Sequence, residues 1–182
     1  MNPGDGFLIA DGATNLEWLT PFYTRGDAFN DSTVQSLITS YAFRYATSTE
    51  VLDMINNNFN HPTTVYGGDP AGFVSAQSFF DIFGINEYMM CSSFTPQDCP
   101  RTQGLSSDPG PANSHLAFGM IQIELTNGWL IADNPWPDSI AETQMGSWLV
   151  RNQVPEPGTY SMLLAGLGLI GFMARRINDH TV

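Results

Sequence analysis

Residues 117–132 read AFGMIQIELTNGWLIA. Ala117 to Leu125 is a run of strand formers, and Trp129 to Ala132 is a second. Between them stands Thr126-Asn127-Gly128, whose Asn-Gly pair tolerates the positive φ of a tight hairpin turn. This is the strongest hairpin signal in the chain. Working outward, Ser147-Trp148-Leu149-Val150-Arg151 reads as a final strand. At the other end, Phe7 to Ala10 and Leu16 to Leu19 predict two short strands around the turn Asp11-Gly12-Ala13-Thr14.

Helical spacing fills the region between. After Asp31-Ser32, the residues Val34, Leu37, Ile38 and Tyr41 make one apolar face, and Ser32 with Gln35 forms an S-x-x-Q capping box. Thr47 and Glu50 form a second box, T-x-x-E, ahead of a helix whose inner face is Val51, Met54, Ile55 and Phe59. Asn56-Asn57-Asn58 ends that helix, since Asn suits caps better than helix interiors. A third helix is predicted over Val74 to Phe83, with Phe79, Ile82 and Phe83 inward and Gly84 at its end. From Cys91 to Ser114 there is little periodicity and much Pro, Gly, Ser and Asp, which reads as a long loop. Strands, then helices, then strands predict an α+β fold: a small antiparallel sheet with two or three helices. No internal repeat is visible.

The chain has 182 residues, enough for one domain and a short appendage. Apolar residues make up 42% of it, so a core can form. Only 13% of residues are charged, all six basic ones are Arg, and the net charge is -12. A phosphate-binding surface needs clustered Lys and Arg, so nucleic acid is excluded as a partner. Residues 1–154 hold four of the Arg and carry the whole negative charge.

The tail is ordered differently. Val154-Pro155-Glu156-Pro157-Gly158 is followed by TYSMLLAGLGLIGFMA, residues 159–174 without a charge, and then by Arg175-Arg176. As a helix these 16 residues would span about 24 Å against a hydrocarbon core of about 30 Å. Pro155 and Pro157 sharpen the upstream boundary. No polar face interrupts the run, so it does not suit a surface helix. Runs of this length also occur as buried core helices, and length alone does not separate the two. In the membrane reading, Arg175 and Arg176 stay cytoplasmic and the domain lies outside.

The order of these parts resembles the PEP-CTERM sorting signal of Gram-negative bacteria: Pro155-Glu156-Pro157 as recognition motif with Val154 before it, Tyr160 to Ala174 as a single transmembrane helix, and Arg175-Arg176 as basic stop. The division expected is an exported α+β domain over 1–152 and a sorting signal over 153–182. The resemblance implies processing near the motif by a membrane transpeptidase-like enzyme, an exosortase, after transient residence in the membrane. The domain would then pass to the cell surface or matrix, in species that make exopolysaccharide. The family also carries an N-terminal secretory leader. Met1-Asn2-Pro3-Gly4-Asp5-Gly6 has neither the basic start nor the apolar stretch of one. A start assigned too late, a removed leader and a protein that is not exported all remain open, and a missing leader is the expectation.

A second resemblance covers most of residues 8–59 and 117–151. Thr14-Asn15-Leu16-Glu17-Trp18-Leu19 and Phe43-Arg44-Tyr45-Ala46-Thr47 with Glu50-Val51 are similar to the opening "LEWLD … GWRYAT-x-x-EV" of many PEP-CTERM secreted domains. That opening is distantly like domains of C-type-lectin-like fold, in which Gly146 to Arg151 would be the closing strand and the first and last strands pair. The chain departs at Leu19-Thr20-Pro21, where Pro21 removes a backbone donor, so that the strand should end there or lie at a sheet edge.

Cys91 and Cys99 are the only cysteines. In an exported protein they are expected to pair as a disulfide across the long loop; in the cytosol they would be buried thiols. His61, His115 and His180 lack any metal-ligand spacing, and no nucleophile elbow, P-loop or dinucleotide fingerprint is present. Asp69, Asp81, Asp108, Asp133 and Asp138 are candidates for paired acid–base work, but in so acidic a domain most read as a solvated face. Neither a catalytic residue, a metal nor a cofactor is indicated. One loop stands out, Asp133-Asn134-Pro135-Trp136-Pro137-Asp138, whose Asp133, Asn134 and Asp138 oxygens suit a cation and whose Trp136 suits a sugar ring. It lacks the signatures of calcium-dependent lectins, and the alternative is a rigid turn whose Trp caps the core. Trp18, Trp129 and Trp148 read as core.

Two functions from different classes follow. One is a non-catalytic exported surface or matrix protein associated with exopolysaccharide in a biofilm. The other is a carbohydrate- or ligand-binding module. An enzyme ranks third.

Overall fold

A computed structural model of the chain describes residues 7–59, 70–92, 95–123, 127–141, 144–153, 162–167 and 169–170. The chain separates into two compact units, Met1–Asn152 and Gln153–Val182.

The first unit is α+β. Strand β1 (Leu8–Asp11) turns back into β2 (Leu16–Leu19). Asp11 makes the turn, its carboxylate accepting from the Ala13 amide at 3.0 Å and the Thr14 hydroxyl at 2.8 Å. The strand ends at Leu19, two residues short of Pro21. Helix α1 (Ser32–Tyr41) is capped by Asp31, whose carboxylate accepts from the Thr33 amide at 2.8 Å. The predicted Ser32–Gln35 box does not form. The carboxylate one residue earlier takes the cap, and the Gln35 side chain instead donates through Nε2 to Asn30 Oδ1 at 2.8 Å. Val34 and Leu37 are buried, while Tyr41 lies at the exposed margin of the face.

After β3 (Arg44–Tyr45), helix α2 (Ser48–Phe59) opens with the Thr47–Glu50 box as predicted. The Glu50 carboxylate accepts from the Thr47 amide at 2.9 Å, and Thr47 Oγ1 accepts from the Glu50 amide at 3.2 Å. Val51, Met54, Ile55 and Phe59 are all buried. Helix α3 (Pro70–Phe83) starts earlier than the periodicity suggests and ends at Gly84, which adopts φ +78. Phe79 and Phe83 point inward, but Ile82 is 45% exposed and Phe80 is buried in its place. On a helix turning 100° per residue, 80 and 82 flank the stripe of 79 and 83 on opposite sides at equal angles, so spacing alone does not choose between them; the core lies on the side of Phe80.

The rest is sheet: β4 (Glu87–Ser92), β5 (Thr95–Pro109), β6 (Ser114–Ile123), β7 (Asn127–Pro137), β8 (Gly146–Ser147) and β9 (Leu149–Asn152). Three expectations change here. The loop expected from Cys91 to Ser114 is mostly β5, a strand 15 residues long. It looked like loop because polar residues fill its buried positions: Thr102, Gln103 and Ser106 are fully enclosed. The β6–β7 hairpin is present, but Asn127 and Gly128 lie inside its ladder, opposite Ile123 and Gln122. Asn127 and Gly128 are therefore strand residues and not the Asn-Gly turn expected; residues 124–126 lie outside the described residues. Finally, Asp133 to Pro137 continues β7 and is no loop; Ala117 faces Asn134 and His115 faces Trp136.

The single antiparallel sheet expected is in fact two. The first has the order β1-β2-β9-β3, antiparallel throughout. The second runs β4-β5-β6-β7, with β8 added parallel to β5. The closing strand pairs with the second strand, not the first. Trp148 joins the sheets. Its amide donates to Leu105 O at 2.9 Å beside β5, its carbonyl accepts from the Ala46 amide at 2.8 Å, and the chain then enters the first sheet as β9.

The first sheet buries both faces. Trp18 and Val150 join α2, α3, Phe118 and Met120 in the main core. Leu19 and Leu149, of opposite pleat, pack with Val34, Leu37 and Phe43. Trp148 sits fully enclosed, edge-on to Trp18 with ring centroids 6.1 Å apart and to Phe83 at 5.3 Å.

In the second unit, residues 162–167 and 169–170 are helical, and most are exposed. Among the described residues no helix is long and apolar enough to cross a membrane. The transmembrane helix expected over Tyr160 to Ala174 is thus not seen; part of that stretch lies outside the described residues. The uncharged run was already short of a bilayer core at 1.5 Å per residue.

Candidate functional site

The sequence singled out the tail first. Val154, Pro155, Glu156, Pro157, Arg175 and Arg176 all lie outside the described residues. What is visible is the last strand before them. Leu149 and Val150 of β9 pair with β2 on one side and β3 on the other. Arg151 Nε donates to Glu17 Oε2 at 2.7 Å, its Nη1 donates to Tyr41 O at 3.2 Å, and its guanidinium lies 4.8 Å from the Phe43 ring centroid. Glu17 and Arg151 face each other in register and are 8% and 12% exposed. A buried charge needs such a partner, because desolvating either alone costs several kcal/mol. Neither residue was legible as a pair, since 134 positions separate them.

The predicted ligand segment is built into a wall. Trp136 is half-buried against Leu105, Ala117 and Met145, and its Nε1 is enclosed without a hydrogen-bond partner among the described residues. Asp138, in the turn after β7, holds His115 Nδ1 at 2.7 Å, and its amide donates to Asn113 O at 3.0 Å. Phe29 stacks on His115 at 3.5 Å and on Tyr45 at 4.2 Å between centroids. Burial pushes the Tyr45 phenol up. Burial, with Asp31 second, does the same to the Asp27 carboxyl. The segment therefore brings Trp136 and Asp138 together with His115, a residue the sequence left without a role. The signal that would have found it is the register of a strand not recognised as one. Asp133 and Asn134 are placed as β7 backbone.

The other candidates serve structure. Asp108 Oδ2 accepts from the Ser48 amide at 2.5 Å, at the start of α2. Asp81 is exposed. Asp69, His61 and His180 lie outside the described residues. Among the described residues, no group of three His, Cys, Asp or Glu could hold a metal ion. Cys91 belongs to β4 and Cys99 to the neighbouring β5, where Cys99 faces Met89. Cys99 is buried, and no cysteine is a free thiol among the described residues. A cavity of about 140 Å³ opens between β1, β2, α2 and α3, with Trp18, Met54, Phe59 and Phe83 in its walls and Asp11 and Asn58 contributing polar groups.

Comparison with known proteins yields one finding. Residues 153–177 match the model of the PEP-CTERM protein-sorting motif. No curated protein and no solved structure matches the chain. The motif implies export and sorting by an exosortase, with the chain anchored at the membrane before processing.

Proposed function

We propose, on the premise that this chain is a PEP-CTERM protein, that residues 1–152 form a non-catalytic domain delivered to the cell surface or matrix, where it associates with exopolysaccharide in a biofilm. The observation that carries the reading is the sorting motif at 153–177, directly after the last strand of the fold. The use of polar groups supports it. Asp11 makes a turn, Asp31, Glu50 and Asp108 hold helix starts, Glu17 pairs with Arg151, and Asp138 pairs with His115. These six acids are thus engaged in turns, helix starts and ion pairs. A domain lacking Lys and carrying a net negative charge stays soluble and repels its own copies.

The Cys91–Cys99 disulfide belongs to this reading. The two positions lie on neighbouring strands, Cys99 is not a free thiol, and the chain holds no third cysteine. It would tie β4, an edge strand, to β5 in an oxidising compartment.

Fractionation of the full open reading frame in a host with an exosortase tests the sorting step. Pro155→Ala with Glu156→Ala should leave an unprocessed chain in the membrane fraction. Normal processing of that variant would remove the proposal. Pull-down on the host's exopolysaccharide tests retention, and loss of capture in Trp136→Ala would favour the ligand-binding module of lectin-like fold.

A further inference from the structure

In sequence the sorting motif follows the last strand of the fold without a gap. Its match begins at residue 153, and β9 ends at Asn152. The strand is not a loose end. Leu149 lies between Leu19 and Tyr45, Val150 between Trp18 and Arg44, and both are fully buried. Arg151 and Asn152 face Glu17 and Leu16 on β2, and β3 does not extend to them. Two residues thus hang on a single ladder, fastened by the buried Glu17–Arg151 pair and by the bond from Arg151 to Tyr41 O.

An enzyme that processes a peptide takes it extended, with its backbone groups bonded to the cleft. Backbone already bonded within a ladder cannot enter unless the strand opens first. Pro155 stands only three positions beyond Asn152, so a cleft that grips a few residues upstream of the motif reaches the ladder.

We propose that β9 is the upstream stop of processing: the exosortase works against a folded wall that ends at Asn152, and release of Arg151-Asn152 from β2 limits the rate. The inference rests on the sorting reading. It assigns Glu17 and Arg151 as positioning residues for a reaction that neither touches.

Pulse–chase of the full chain in an exosortase-carrying Gram-negative host tests it, with intact-mass measurement of the mature C-terminus. Inserting Gly-Ser-Gly-Ser-Gly-Ser between Asn152 and Gln153 should speed processing by at least about threefold, because the cleft no longer meets the ladder. Glu17→Gln, which removes the charge of the fastening pair, should act in the same direction. If Glu17→Gln does not accumulate, the insertion decides alone. Processing of the inserted chain at the parental rate or slower overturns the inference, as does a mature end within residues 149–152. Glu156→Ala separates the two claims. Loss of processing in that variant, with no gain from the insertion, sinks the stop alone; undiminished processing of Glu156→Ala sinks the sorting reading and the stop with it.

Discussion

Trp18 and Trp148 are 1% and 0% exposed and meet edge to face at 84°. Their environments differ in one respect. Trp148 Nε1 donates to Phe118 O at 2.9 Å, whereas Trp18 Nε1 has no partner among the described residues. Replacing each by Phe removes the same atoms, so the lost packing, about 1–2 kcal/mol, is nearly common to both. At 148 the change also strands the Phe118 carbonyl, a further cost of about 1–3 kcal/mol. At 18 it removes a desolvated donor and returns a comparable amount. Trp148→Phe should therefore cost about 3 kcal/mol more than Trp18→Phe, a gap in melting temperature of about 6–12 °C for a chain of this size. Urea unfolding followed by far-ultraviolet circular dichroism measures it without relying on the fluorophores being altered, and the slope m should be unchanged in both. A difference under about 1 kcal/mol, or a larger loss at Trp18, would refute the assignment of hydrogen-bonding states.

Three further outcomes are expected. The Arg44 guanidinium, with the Thr47 amide and hydroxyl, lowers the Glu50 carboxyl from 4.5 to about 2. Its folded pKa lies below its unfolded one, so this contribution is present above pH 4.5 and lost as pH falls toward 2. Glu50→Gln should flatten that acid limb in a pH series of urea midpoints; because Arg44 is half exposed, solvent screening keeps the ion pair's share small. Gly146 packs directly onto the Pro21 backbone, so a Cβ there has no space. Gly146→Ala should lower stability by about 1–3 kcal/mol, read as a fall in denaturation midpoint. Ala42 closes α1 in the left-handed region at φ 57, where a Cβ is unfavourable. Ala42→Gly should raise stability by about 0.5–1 kcal/mol, and an unchanged or lower midpoint would count against that cap geometry.

The helices were legible because their signals are local. The Thr47–Glu50 box and the spacing of Val51, Met54, Ile55 and Phe59 report the geometry of a single helix, and the structure has all of them where the spacing puts them. The sorting motif was legible for the same reason: its parts are consecutive in sequence. Where two local signals competed, as with Asp31 and Ser32 for the α1 cap, spacing alone chose the wrong one.

Strand β5 was hidden because its pattern is made by other elements. Thr102 donates to Gly84 O, Asn86 donates to Gln103 O at 2.6 Å, and Ser106 donates to Leu116 O at 3.0 Å. Buried polar positions of this kind show no apolar alternation, and they are stable only once their partners arrive from elsewhere in the chain. The same holds for His115 with Asp138 and for Glu17 with Arg151. Sequence by itself determined the helices, most of the core aromatics and the address written in the tail. The tertiary structure decided which polar residues are interior, that the sheets are two, and that the last strand is locked to its neighbours up to the edge of the processing motif. A hydrogen bond across more than a hundred residues leaves no period behind in the sequence that makes it.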